Sequence, residues 1–465
     1  MSAAVPSEPN DSTDAKPVGK RRWAARGLWG MMDMALFAGG NFLTHIVLAR
    51  WLTEESYGKF TTAFTVYLLL AVVNTSVVIE PMMVYGSRRY RRRLPAYLGE
   101  MVRMHLRFAC GYGVLLLAGA GLAAFFGDTG LAQVLAVFAV AQLPLLMPWI
   151  LRDACYINTD PRPAGIAGMI YVGSVIAGLV ALDALHILSA AAAVAVLGIA
   201  ATIASAWLMT ALRLWRPALR ATRSWQTARQ RHVRFGRWAL LTNFIRFVPE
   251  HLPLILVPIV LGYAMGGALK AMINLITPFV LVTWALSNLS LPLLVRRVGR
   301  HDFETAAWRV ALLAMAGPLL CWPLLGVFGE PIVGWLYDGK FVDEAWMMWL
   351  MGLLPVLISG NCILFAMFRA LDRPALLLPG TTTAAVVLVL LGMPLMWATG
   401  LWGMVVGMLG AQVVLMAMLV RSYASRLRAM AIGSERKTAA EDFSNTNGLE
   451  KLASRPAPAM VEPAT

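Results

Sequence analysis

Residues 213–237 read RLWRPALRATRSWQTARQRHVRFGR, with eight arginines, two tryptophans and no acidic residue. Apolar runs flank this stretch: AAAAVAVLGIAATIASAWLMTAL over 190–212 and WALLTNFIRFVPEHLPLILVPIVLGY over 238–263. Crossing roughly 30 Å of hydrocarbon takes about 20 helical residues, and both runs meet that length. Working outward, twelve segments qualify, at about 31–50, 60–84, 106–126, 131–151, 164–183, 186–212, 238–263, 268–295, 306–328, 345–368, 374–397 and 401–421. Six precede the arginine-rich stretch and six follow it.

Composition agrees with this count. Of 465 residues 59% are hydrophobic and 14% charged, where soluble chains carry roughly 25% charged residues. Mean hydropathy is +0.66. The balance of 40 Lys and Arg against 25 Asp and Glu, a net +15, would in a soluble chain point to nucleic acid. Here its placement explains it. With the N-terminus inside, 35 of the 40 basic residues fall in the tails and the inner connections. The opposite side keeps only Arg50, Lys59, Lys270 and Lys340, and Arg246 lies within a span. Retention of Lys and Arg in the cytoplasm predicts an all-α polytopic protein of the cytoplasmic (inner) membrane, with both termini cytoplasmic and no nucleic-acid partner. The inner arginines also suit anionic inner-leaflet lipids. The polar N-terminus and the Asp33, Asn41 and His45 in the run behind it read as a tail and an uncleaved span.

The expected organisation is a basic cytoplasmic tail at 1–30, a six-helix lobe at 31–212, a cytoplasmic linker at 213–237, a second six-helix lobe at 238–421 and a disordered tail at 422–465. Sliding one half by 208 residues aligns Gly58 with Gly266 and Arg88-Arg89 with Arg296-Arg297. Together with the six-plus-six count this predicts a parallel repeat about an axis along the membrane normal.

Several chemistries are excluded. The four cysteines, Cys110, Cys155, Cys321 and Cys362, show no metal or disulfide spacing and read as packing residues. No Gly-Lys pair is followed by Ser or Thr, so there is no P-loop, and the six histidines lack ligand spacing. No cofactor, metal or enzymatic activity is predicted.

Polar residues inside spans carry the functional signal, because each is costly in hydrocarbon. The seventh span is richest, with Asn243, Arg246, Glu250 and His251 among Pro249, Pro253 and Pro258. Arg246 and Glu250 are four apart and share a face. Two readings stand: a self-neutralising structural pair, or an arginine meeting an anionic substrate beside a carboxylate that tunes it or exchanges a cation. The prolines predict a kink. In the first span Asn41 and His45 also share a face, and a packing histidine competes with a ligand. Arg50 sits at the outer end, where it can snorkel to headgroups. Asp33 and Glu80 lie at inner span ends, close to water, and Glu80 precedes Pro81 at a possible kink.

The stretch Ile46-Val47-Leu48-Ala49-Arg50-Trp51-Leu52-Thr53-Glu54-Glu55-Ser56-Tyr57-Gly58 resembles the first hairpin of the polysaccharide transporters, the Wzx-like flippases of the multidrug/oligosaccharidyl-lipid/polysaccharide exporter superfamily. Phe235-Gly236, Leu261-Gly262-Tyr263-Ala264, Leu336-Tyr337-Asp338-Gly339-Lys340-Phe341 and Gly400-Leu401-Trp402-Gly403 look similar to further family patterns. These mark turns and helix ends, and the resemblance covers most of residues 23–421. It implies two six-helix lobes around a cavity open alternately to each side, and a flippase for undecaprenyl-pyrophosphate-linked oligosaccharide in surface polysaccharide or exopolysaccharide synthesis. Other polysaccharide assembly proteins would be its partners. On that reading Arg246, with Arg50, His45 and Asn41, binds substrate. A drug or metabolite cation antiporter is the alternative, with Glu250, Asp33 and Glu80 as ion-coupling groups. A membrane glycosyltransferase or polymerase ranks third. It would use the outer connection at about 329–344, with Glu330, Asp338, Asp343 and Glu344.

Overall fold

The computed structural model describes residues 20–219, 226–298, 302–371 and 376–424, with side chains from residue 25 onward. The expected N-terminal tail up to residue 19, residues 220–225 of the expected linker with Arg220, Arg223 and Trp225, the C-terminal tail from 425, and Arg300 and Arg373 of the basic belt lie outside these residues.

The helices long and apolar enough to span a membrane are α1 Ala25–Trp51, α2 Glu54–Ser87, α3 Arg91–Phe125, α4 Thr129–Ile157, α5 Arg162–Ala184 and α6 Ala190–Ala211 in the first half. In the second half they are α8 Tyr263–Val295, α9 Phe303–Tyr337, α10 Ala345–Ala370, α11 Leu377–Thr399 and α12 Leu401–Ala424. A bent pair, Gln226–His251 and Pro253–Leu261, completes twelve spans as α7. Among the described residues there is no strand.

Side-chain chemistry accounts for the irregularities. Pro249 within the first segment of α7 and Pro253 opening the second remove backbone donors, and the axis turns 45° between them. Pro81 does not end α2. A π-helical turn over Thr75–Ile79 precedes it and the helix runs on to Ser87, while the Val77 carbonyl left without a donor by Pro81 accepts from His232 of α7. At the start of α8, Gly262 adopts φ +93° and turns the chain sharply, so the helix begins at Tyr263, five residues earlier than the apolar run suggested. Lys270 therefore lies inside a span, not in a connection. Glu330 likewise falls within α9, which shortens that connection to 338–344. Of the arginine-rich stretch, Trp215–Leu219 forms a short helix against α3, and Gln226 onward is already α7.

Within the first half α4 packs on α3 and α6, and α5 packs on α1 and α6; within the second, α10 packs on α8 and α9. The halves meet through α2 against α8 and through α7, whose first segment lies along the π-turn of α2. One bundle end carries Arg88–Arg93, Arg213 and Arg296-Arg297 and is called the basic end. The other carries the short turns after α1, α3, α5, α7, α9 and α11 and is called the hairpin end.

Candidate functional site

At the hairpin end the two lobes are latched together. Gly58 of α2 lies so close to the Tyr263 carbonyl of α8 that a Cβ would overlap it, and Gly267 packs on the Glu54 carbonyl and the Tyr57 ring. Only glycine permits such backbone approach. The Arg50 guanidinium donates to the Trp335 carbonyl at 2.9 Å and lies 3.6 Å from Asp338. Lys340 donates back to the carbonyls of Arg50 and Leu52 at 2.6 and 2.7 Å. The turn that presents Lys340 depends on positive φ at Asp338 and Gly339. Lys59 bridges Glu55 at 2.8 Å and Asp128 at 3.1 Å, and its ammonium lies over the Tyr263 ring. Arg50, half exposed, thus clasps the opposite lobe.

Beneath the latch the interior is polar. His45 is buried against the edges of Tyr57, Phe60 and Phe64. Its Nδ1 is 3.3 Å from the Tyr57 hydroxyl, which also accepts from Asn274 of α8 at 3.3 Å. One turn further along α1 on the His45 face, Asn41 is exposed.

Arg246 and Glu250 lie in mid-span, near the bend of α7. They pair loosely at 4.0 Å with side chains 51% and 46% exposed, beside Cys362 of α10. Three residues before Arg246, Asn243 crosses to the first lobe, donating to Glu80 at 2.8 Å and to the Ser76 hydroxyl at 3.0 Å. Asn243 thus ties the helix that carries Arg246 and Glu250 to Glu80 of the first lobe, while on α1 Asn41 is exposed and His45 is buried.

Asp33 lies elsewhere. Expected close to water, it is fully buried inside the first lobe, where Arg152 of α4 grips both oxygens at 2.8 and 2.9 Å and the Tyr156 hydroxyl donates at 2.7 Å. This makes it a staple between α1 and α4. A second buried carboxylate, Glu100 of α3, gathers Arg103, Arg107 and Arg229, and Arg103 also donates to the carbonyls of Pro217 and Ala218 in the short helix. Close by, His232 of α7 bonds the Tyr97 hydroxyl and the Val77 carbonyl of the π-turn. These contacts tie the start of α7 to the first lobe. A groove between α8 and α9, lined by Phe279, Leu324, Phe328 and Trp335, is apolar.

Sequence reading missed Lys270, the Asn243–Glu80 link and the Tyr57–Asn274 contact. Lys270 carried a readable signal, since Gly262 before an apolar run marks a helix start that leaves the lysine inside the span. The other two join residues from different lobes and left no spacing to find.

The sequence profile of a family described as polysaccharide biosynthesis protein matches residues 47–315, more than half of the chain. The chain belongs to that family. No curated protein sequence matches it. Among solved structures, an inward-facing multidrug resistance MATE transporter of the MOP superfamily is 14% identical, with 86% of this chain and 96% of that one covered and a TM-score of 0.69. The lipid II flippase MurJ in an inward closed conformation is 11% identical over 86% and 87%, with a TM-score of 0.63. A MOP superfamily transporter from Pyrococcus furiosus is 15% identical over 88% and 96%, with a TM-score of 0.60. This family member therefore has the fold of the MOP transporters, and the hairpin, Tyr263 and Lys340 motifs that mark it converge on the latch.

Proposed function

We propose that this protein is a flippase that carries undecaprenyl-pyrophosphate-linked oligosaccharide across the cytoplasmic membrane by alternating access, for surface or exopolysaccharide synthesis. The observation that carries the reading is the half-exposed Arg246, a cation in mid-span, in a member of a polysaccharide biosynthesis family whose lobes are latched at one end. A glycan cannot cross hydrocarbon unaided, because each hydroxyl buried without a partner costs several kcal/mol. A polar cleft between lobes carries the sugars while the polyprenyl tail stays in lipid. A lipid II flippase shares the fold, which suits a lipid-linked cargo. With the basic end in the cytoplasm, the latch closes the outer face and the cleft takes its cargo from the inner leaflet; opening the latch delivers it outside.

Glu250 beside Arg246 and Glu80 held by Asn243 of the same helix favour a second reading, exchange of a cation, either as the coupling ion of the flippase or as the cargo of an antiporter. Deleting the gene is expected to leave undecaprenyl-linked repeat units at the inner leaflet and to deplete surface polysaccharide. Normal polysaccharide with no accumulation, in a strain lacking a second flippase, would sink the proposal. Altered resistance to cationic dyes would favour the antiporter.

A further inference from the structure

At the basic end three arginines converge on one carboxylate. Glu100 of α3 is fully buried, and Arg103, Arg107 and Arg229 all reach it, so three cations against one anion leave a surplus of positive charge. The neighbouring chain is fixed in place. Arg213 takes φ +55° at the end of α6 and Leu214 behind it is buried, which turns the chain back on itself. The short helix that follows lies directly on α3, where a Cβ at Gly99 would overlap the Pro217 carbonyl, and Arg103 donates to the carbonyls of Pro217 and Ala218. Arg103 is thereby committed to the protein. Arg107 is not: its side chain is 53% exposed, and among the described residues its one polar contact is a Glu100 oxygen at 3.5 Å that Arg229 holds more closely.

The depth of Arg107 and the face it shares point to lipid. From Arg107 to Phe125, where α3 ends, the helix rises about 27 Å, close to the roughly 30 Å of hydrocarbon in a bilayer. Phe125 and Phe126 are exposed at the hairpin end, so Arg107 lies at headgroup level at the basic end. Cys110, Val114 and Leu117 follow it at intervals of three and four residues and are exposed. One face of α3 thus presents a guanidinium at the polar boundary and an apolar strip running away from it. Trp215 of the short helix, half exposed and donating from Nε1 to the Thr210 hydroxyl at 3.0 Å, adds an indole suited to the interface. Basic pockets between spans at such a boundary suit lipid phosphates.

We propose that Arg107, with Arg229 beside it, binds the phosphodiester of an anionic phospholipid of the surrounding bilayer, whose acyl chain lies along Cys110, Val114 and Leu117. The site is independent of which cargo the protein carries. Its consequence is local: a phosphate that balances the surplus charge around Glu100 stabilises the docking of the short helix and of the start of α7 on α3, the place where the chain passes from one lobe to the other.

The test titrates the full chain in detergent with dioleoyl phosphatidylglycerol and, separately, with dioleoyl phosphatidylcholine, reading binding from the melting temperature. Phosphatidylglycerol should stabilise the wild type and phosphatidylcholine should not. Arg107→Gln should melt like wild type without lipid and lose about fivefold in apparent affinity for phosphatidylglycerol, with Arg107→Lys within about threefold of wild type. Arg89→Gln, which removes the same charge from the exposed turn between α2 and α3, should stay within about twofold. An equal loss in Arg89→Gln would reduce the effect to the diffuse charge of the basic belt and overturn the site. Wild-type affinity in Arg107→Gln, or a lowered melting temperature without lipid, overturns it as well. Stabilisation by inorganic phosphate at matched ionic strength that Arg107→Gln abolishes would make it a site for a free anion. Binding of farnesyl pyrophosphate about tenfold or more tighter than phosphatidylglycerol would assign it to a polyprenyl carrier. Either result overturns the bilayer lipid as occupant, and neither alters the deletion-strain result that tests the cargo.

Discussion

Asp33 and Glu250 belong to one residue class in the sequence, acidic side chains near or inside apolar spans, yet their surroundings give them opposite expected phenotypes. Asp33 is buried with Arg152 on both oxygens. Removing one partner of such a pair leaves a buried charge and costs about 3–5 kcal/mol. Asp33→Ala should therefore lower the melting temperature and the amount of inserted protein, readable by fluorescence-detected size exclusion. The Arg246–Glu250 pair is half exposed and 4.0 Å apart, worth about 0–1 kcal/mol. Arg246→Ala should leave insertion and melting near wild type while abolishing export, with Arg246→Lys partly tolerated if a point charge suffices; wild-type export from well-expressed Arg246→Ala would remove this residue from the site. What separates the two carboxylates is Arg152, 119 positions from Asp33 along the chain, a partner that no local pattern announces.

At the level of helices, the latch explains why turn motifs far apart in sequence recur together. The first hairpin, the turn at Gly262 and the turn at Asp338-Gly339 touch one another and hold the lobes closed at one end. Cysteines at 50 and 338, joined by a short bifunctional maleimide in a background without the four native cysteines, should stop export. Export that continues with the link intact would show that the latch need not open. A bulky residue at Gly58 should act the other way: Gly58→Leu forces α2 from α8 and should expose a cysteine at Tyr57 to impermeant maleimides from the outer face. The latch should also resist acid. Burial acts to raise the Asp128 carboxyl, but the Leu131 N–H, the Tyr263 hydroxyl and Lys59 outweigh it and hold the group below its usual range. A lowered folded value contributes stability that is complete above the unfolded value of about 3.9 and lost as pH falls through the folded one. Asp128→Asn should melt earlier than wild type at pH 7, and the difference should shrink below about pH 4.

For the whole molecule, the basic belt and the latch mark opposite faces. Reporter fusions after Ala424 and within 338–344 should report cytoplasmic and outer locations respectively, and a cysteine at Asn41 should label with impermeant maleimide from the cytoplasmic side while the latch is closed. Outer labelling alone would reverse the assigned direction of opening. The twelve spans and their division six and six were legible in the sequence, because apolar length and arginine placement are local quantities read residue by residue along the chain. The prolines announced the bend of α7 for the same reason, but nothing in the spacing revealed that Gly58 and Gly267 meet at the crossing of α2 and α8 while Gly266 packs on Pro258 of α7. The cleft was only partly legible: Arg246 and Glu250 were visible as costly intramembrane charges. That Glu80 meets Asn243 and that Asp33 is a staple between α1 and α4 were decided only by how the helices pack. A charge advertises its cost in the sequence, but whether that cost is met by a partner or left for a ligand depends on which helices come together across hundreds of residues.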